Sequence, residues 1–475
     1  MRTSILEVVG LCILCGLSVG CSGSTSASAP NGTPIAVAIH DSAPSGVSVL
    51  TYTMTISGMS MTNTNQHVTN LITSPVTVQF HDLLTQSALL ATNSAAPAAT
   101  YSTMTITFSN VVMTILNASN STITVGSTSC APSQICTMKP ALNQVTTTIS
   151  SGAFPLTVTS APLTLDVDVN ISSSLQGNLS ITPVVAVSAP PFVAGVLHSF
   201  NANGQITSVS GSSFTMTDAA TGNSLNIDAS NAAFVNFPAS SGSCSTPNTV
   251  GCLAATQNLN VDYIMTTGTP PVLQANNVVL KNGITNGIEG VVIAAPVANP
   301  PNQFTMVVTG TSPTRTSMPI GTKLTVITPT TPSSFAYLPV SMLTVPTPLA
   351  FTGASSVVVG QTIDIDSSDA SASAGTATAT AVLLVPSQFV GNLSAINSIG
   401  VSSLGVDGLN SVFTTGGVTS LNVLVQTGTS YLGVPFSGLV VDQPVTIGGE
   451  IFSGTMGLTV VGGQVGQSFT AIPAS

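Results

Sequence analysis

Apolar and polar residues alternate with period two along most of the chain. Leu163, Leu165, Val167, Val169 and Ile171 fall on one side of such a segment, and Thr164, Asp166, Asp168 and Asn170 on the other. Val76, Val78 and Phe80 alternate with Thr77, Gln79 and His81, and Met104, Ile106 and Phe108 with Thr105 and Thr107. Successive side chains of a strand point to opposite faces, so this period marks half-buried strands. No stretch beyond the N-terminal segment sustains a 3.6-residue apolar stripe, which predicts an all-β protein.

Glycine and proline set the divisions. Of the 41 glycines, 10 precede residue 191 and 31 follow it, and Ser188-Ala189-Pro190-Pro191 sits at the change. An N-terminal β-sandwich domain is therefore placed at 34–189. Beyond it a Gly opens a strand (Gly195, Gly290, Gly391), a Phe follows in the next strand (Phe214, Phe304, Phe413), and short apolar strands then carry sparse acids (Asp262, Asp364 with Asp366, Asp442). This recurrence predicts three diverged repeats, at 194–281, 287–385 and 388–470, each a small β-barrel or sandwich. Closing such a sheet removes the edges that invite aggregation.

Composition narrows the function classes. Of 475 residues only 5 are basic and 15 acidic, a net charge of −10, while 43% are hydrophobic. Five basic side chains cannot neutralise a run of phosphates, so no nucleic-acid partner is expected. The hydrophobicity excludes a wholly disordered chain. Mean hydropathy is +0.52, yet past residue 20 no run approaches the roughly 18 apolar residues that span a bilayer.

The N-terminus reads as an address. Residues 1–20 form a short apolar segment behind Arg2, too short to span a membrane and suited to an export signal. Cys21 follows Leu17-Ser18-Val19-Gly20, a succession that looks like a bacterial lipobox in which Cys21 is acylated. Residues 21–33 then form a flexible Ser/Gly/Ala tether. The expected location is the outer membrane or cell surface, reached by export and held through lipid. Cys12 and Cys15 leave with the signal, and Cys130 with Cys136 and Cys244 with Cys252 remain as two local pairs. In an oxidising compartment each pair is expected to form a disulfide; neither has the Cys-x-x-Cys spacing of a zinc site.

Several blocks resemble known families. Val37-Ala38-Ile39-His40-Asp41-Ser42-Ala43-Pro44, Thr55-Ile56-Ser57-Gly58-Met59-Ser60-Met61, Val76 to Leu84, Pro97-Ala98-Ala99-Thr100-Tyr101, Leu163 to Asn170 and Ile181-Thr182-Pro183 occur in that order. The succession is similar to a family of bacterial lipoproteins known as domain of unknown function four-three-eight-two, which has Gly where this chain has Ala99. The C-terminal repeats resemble, more loosely, domain of unknown function five-six-six-six, built of repeated small β-barrels. The resemblance implies a cell-envelope lipoprotein of β-domains, carbohydrate-binding-like in fold, and assigns no catalytic residue.

Candidate chemistry is sparse. No Gly-x-Gly-x-x-Gly, P-loop or Gly-x-Ser-x-Gly elbow is present. His40 and His81 each precede an acid, Asp41 and Asp82, a pairing more usual in a capped turn than in a catalytic centre. Asp166 and Asp168 share one strand face at a spacing of about 7 Å, near that of paired glycosidase carboxylates. Asp364, Asp366 and Asp369 could donate oxygens to calcium, the one cofactor the sequence suggests. Flat rings bind sugars well, and of the five tyrosines Tyr101 is odd-numbered beside the Met104-Ile106-Phe108 strand, so it is expected to face outward. These features predict a non-catalytic, lipid-anchored envelope protein that binds polysaccharide or another envelope polymer, through Tyr101, Asp166 and Asp168. The alternatives are a structural or adhesive surface protein and, less favoured, a glycoside hydrolase using the two aspartates.

Overall fold

The computed structural model describes residues 33–467 except 43–47, 141, 143, 160, 171–180, 191–195, 267–271, 298–301, 340–342, 370–374, 398–401, 433–434 and 455–456. Residues 1–20, expected to be an export signal, Cys21 and Gly195 lie outside the described residues. Gly32–Ser475 forms one compact unit. It is nearly all β, and the one α-helix among the described residues is the five-residue Ser411–Thr415.

Two sheets build the N-terminal region. A four-stranded sheet has the order Val185–Ser188, Leu163–Asn170, Thr33–Ser42, Ala88–Ala96, with the two central strands parallel. A seven-stranded sheet is organised on the long strands Ser48–Asn63 and Ala99–Leu116. Alternation does the packing: Ile35, Val37 and Ile39 from the first sheet meet Met104, Ile106 and Phe108 from the second in one core. The opposite face of the first sheet is covered as well. Its Ala36, Ala38 and Leu89 join the core formed by the next strands in the chain, and small residues there let two backbones approach.

Beyond Val196 most strands follow one pairing scheme, seen three times, with Ala233–Val235 and Phe335–Tyr337 added in parallel to a last strand. In the first instance Val196–Ser210, Ser213–Asp218 and Ser224–Asp228 form an antiparallel meander, Asn258–Thr266 returns beside the first strand, and Leu273–Leu280 lies antiparallel to the fourth. Its first residues also pair in parallel with the third strand, Ile227 with Leu273 and Asp228 with Gln274. The second instance uses Gly287–Ala294, Gln303–Ser312, Lys323–Ile327 and Thr362–Asp366. Its fifth strand comes in two pieces, Thr376–Thr378 parallel to the third strand and Ala381–Val385 antiparallel to the fourth. In the third, Ser387–Asn397, Ser403–Asp407, Leu421–Leu432, Pro444–Gly454 and Gly457–Gln467 close into a barrel by the same rule. The order is that of a five-stranded Greek-key barrel.

Close packing explains which glycines recur. A Cβ on Gly204, Gly290 or Gly391, all in the first strand of an instance, would stand 1.8, 2.6 or 2.7 Å from the carbonyl oxygen of Thr217, Val307 or Asp407 in the second. Gly204 thus occupies the place that the sequence pattern gave to Gly195. Two other pattern positions shift too. Phe413 lies in the helix Ser411–Thr415 and Leu404 fills the strand position, while Asp442 sits in a turn at φ 66° rather than in a strand.

Both cysteine pairs are joined, Cys130–Cys136 and Cys244–Cys252, closing loops of sequence separation 6 and 8. Loops this short are worth roughly 2.5 kcal/mol each in the chain-entropy description. Two disulfides mark a chain that matures in an oxidising, exported environment. Among the described residues no helix is long and apolar enough to cross a membrane.

Candidate functional site

The outer face of the seven-stranded sheet is a lattice of hydroxyls. Pairing places Thr148, Thr105, Ser60 and Asn70 in one rank across four strands; Thr146, Thr107 and Gly58 form the next, and Thr103 with Thr62 a third. Thr107 and Thr146 hydroxyls are 3.2 Å apart, and on neighbouring positions Thr55 and Thr77 are at 2.9 Å and Thr100 and Thr157 at 3.4 Å. Every one of these side chains is half-buried or exposed and none is ionisable. Ranks follow the spacing of roughly 4.8 Å between strands and files that of roughly 6.8 Å between alternate residues. A shorter rank recurs on the second barrel-type sheet, where Thr305, Thr325 and Thr376 stand in register.

Tyr101 is not part of that face. It is fully buried, its hydroxyl donating to the Pro97 carbonyl at 2.9 Å and lying 3.1 Å from Thr69 Oγ1. The register shifts by one between Thr62↔Thr103 and Asn63↔Tyr101. Such a bulge reverses the in-and-out parity, so Tyr101 and Met104 both face the core. Tyr52 and Tyr263 are core residues as well, which leaves Tyr337 and Tyr431 as the tyrosines with substantial exposure.

Asp166 and Asp168 are half-buried rather than on an open strand face. Parallel pairing sets Asp166 beside Ala38 and Asp168 beside His40. They share the side of the sheet whose Ala36 and Ala38 pack against the first barrel-type unit, so they stand at a seam between layers.

The three acids read as a calcium site do not converge. Asp364 Oδ2 accepts from Lys281 Nζ at 3.0 Å. Asp366 Oδ1 accepts from the backbone N–H groups of Thr285 and Asn286, at 2.9 and 2.7 Å, and Oδ2 from the Thr380 hydroxyl. Burial raises the Asp366 carboxyl, but these donors outweigh it and hold it below the usual carboxylate range. Asp369 Oδ1 accepts from Ser367 Oγ and the Thr378 N–H. Among the described residues no three His, Cys, Asp or Glu side chains are grouped to hold a metal ion.

What the sequence did not reveal is a buried ionic cluster between the first and second barrel-type units. Lys281, 5% exposed, lies 2.8 Å from Glu289 Oε2 and 3.0 Å from Asp364 Oδ2. Burial pushes the ammonium down, and the carboxylates of Asp364 and Glu289 outweigh it and hold the group well above its ordinary value. Asp364 Oδ1 is buried without a hydrogen-bond partner. Lys281 and Glu289 are 8 positions apart but Asp364 is 83 from Lys281, so periodicity carried no signal for the cluster.

Beside Glu289 lies a small polar cavity lined by His81, Gln86, Asn203, Asn260 and Gln388. At about 30 Å³ it has room for about two water molecules, far short of a sugar site. Two further acids are buried at contacts between units. Asp218 accepts from the Thr221 N–H and, at 2.7 Å, from the Thr221 hydroxyl, in a turn whose Ala220 carbonyl accepts from Gln79 N–H. Burial lifts its pKa to about 6 against those hydrogen bonds. Glu450, 1% exposed, leaves Oε1 without a partner, and burial pushes its carboxyl well above the usual range.

No protein-family model matches the chain, and no curated protein matches it. The class defined by fold and surface is an exported, disulfide-containing, all-β protein with an uncharged hydroxyl face on one sheet.

Proposed function

We propose that the protein is a non-catalytic, lipid-anchored component of the bacterial envelope that binds a neutral polysaccharide or another uncharged envelope polymer along its sheet faces. The observation that carries this reading is the Thr/Ser lattice on the seven-stranded sheet, ranked Thr148-Thr105-Ser60-Asn70 and free of ionisable groups. An open array of hydroxyls and methyls matches an extended polymer better than a compact ligand, because it offers many weak contacts and no enclosure. Five-stranded Greek-key barrels include binders of oligosaccharides, which is support by analogy of fold only. Acylation of Cys21 and the tether that follows it would hold this face at the membrane surface.

The test is retention of the mature protein on insoluble neutral polysaccharides, comparing wild type with Thr105→Lys/Thr146→Lys. Lysines at half-buried Thr105 and exposed Thr146 sit on the outer face, away from the core, and put charge into the lattice. Saturable retention that the double variant loses at least tenfold is the expected result; equal retention of both forms, or none of either, sinks the reading. The structural or adhesive alternative gains from one feature, the shared core of Leu50, Leu116, Val291, Val307, Val359 and Val412 that makes one body of several units. Self-association of the chain without polymer retention would favour it.

A further inference from the structure

We propose that Lys281 and Asp364 become joined by an intramolecular amide bond, with Glu289 carrying the protons, so that the first and second barrel-type units are covalently linked. The proposal is independent of the polymer-binding reading.

Three features of the cluster lead there. Lys281 follows the last strand of the first unit, while Glu289 and Asp364 lie on paired strands of the second, directly opposite each other in the ladder. Two carboxylates so placed repel unless a cation stands between them, and Lys281 Nζ does, 2.8 Å from one and 3.0 Å from the other. The geometry points the amine at the Asp364 carboxyl: Nζ is at hydrogen-bond distance from one oxygen, and the other, Oδ1, has no partner. Gly287 leaves room for that carboxyl, since a Cβ there would stand 3.0 Å from Oδ1. Lastly one side of the cluster is apolar. Val279, Ile284, Leu338, Leu383 and Val385 form a small core beside the cluster, with Leu383 paired directly to Asp364. Buried charges are poorly solvated in such a place, so converting an ion pair to a neutral amide removes a desolvation penalty.

The reaction balances without any added reagent. The Glu289 carboxylate takes a proton from the Lys281 ammonium and passes it to Asp364 Oδ2, so the free Nζ lone pair attacks Cγ of a neutral carboxyl and the N–Cγ bond forms. Glu289 then moves a second proton from Nζ to Oδ2, and the Cγ–Oδ2 bond breaks as that oxygen leaves as water. One hydrogen remains on the amide nitrogen, Oδ1 becomes the amide carbonyl oxygen, and Glu289 ends as it began. The polar cavity lined in part by Glu289 gives the water a place to go.

Trypsin supplies the test, because its sites are few and well placed. After the full chain is unfolded and both disulfides are reduced, cleavage following Arg315 and Lys323 divides the segment carrying Lys281 from the one carrying Asp364. With the amide in place the two segments remain one species on a denaturing gel, uncut at Lys281 and one water lighter than the sum of its parts. Tandem mass spectrometry then locates the missing water at Lys281 and Asp364. Lys281→Arg keeps the charge and the ion pairs but offers no amine, and its segments are expected to separate completely. Glu289→Gln is expected to separate as well, and full linkage in that variant would overturn the role given to Glu289. Segments of the wild-type chain that separate, or a water lost elsewhere, overturn the proposal even if a variant fails to fold.

Discussion

At Asp218 a single proton is tied to stability. Its folded-state pKa of about 6 lies above the value of 3.8 for an ordinary Asp, so the native protein keeps this proton over a range where the unfolded chain has released it. The contribution is whole below pH 3.8 and is lost as pH climbs through about 6, a change on the order of 3 kcal/mol. Urea unfolding at pH 4 and pH 7 is expected to show that loss relative to Asp218→Asn, whose side chain has the same shape and no titration; an identical pH slope in both proteins would refute it. Glu450 acts in the same direction, since burial alone raises it. Legibility at this scale was uneven. The sequence pairs Cys130 with Cys136 and Cys244 with Cys252 by proximity, and both are joined. Tyr101 misled because one residue inserted near Ser102 reverses the parity that its odd number implied.

Among the elements, first strands reveal why alternation alone could not position the repeats. Period two reports which residues face a core, but not where two backbones touch: the sequence pattern picked out Gly290 and Gly391, whereas Gly204, which takes the place given to Gly195, is recognisable only once its partner Thr217 is in place. Gly290→Ala puts a methyl group 2.6 Å from the Val307 carbonyl and 3.1 Å from Met306 Sδ. It is expected to cost about 1–3 kcal/mol by forcing the strands apart, read as a lower midpoint in chemical denaturation. Gly310→Ala, where nothing lies within 4 Å, is the companion substitution expected to leave the midpoint near wild type. The all-β character was legible because strands half-buried on sheet surfaces write their pattern locally. The Lys281 cluster was not, because its members are separated by up to 83 positions and no local period connects them.

Across the whole molecule, units that differ in sequence are fastened by shared cores and by neutral amides. Gln79 Nε2 donates to the Thr309 carbonyl at 3.1 Å, and Gln361 Nε2 to the Ile451 carbonyl at 2.7 Å. Leu50, in a strand of the N-terminal region, shares its core with Val307 and Val412, which belong to later units. Leu50→Ala is therefore expected to lower stability by about 2–5 kcal/mol while calorimetry still records one transition. An early separate peak for the N-terminal region would show instead that the units melt alone.

The first described strand, Thr33–Ser42, lies inside its sheet and not at an edge, with a parallel ladder from Ile35↔Leu163 to Ser42↔Asn170 on one side and Ala88–Ala96 on the other. A pull entering at Thr33 runs along that ladder, so its hydrogen bonds bear the load together and in shear. They do not open one after another like a zipper. The final strand of the closed barrel, Gly457–Gln467, is likewise held between two neighbours, one of them parallel. Tension applied to either end of the body thus meets a clamp of hydrogen bonds loaded together.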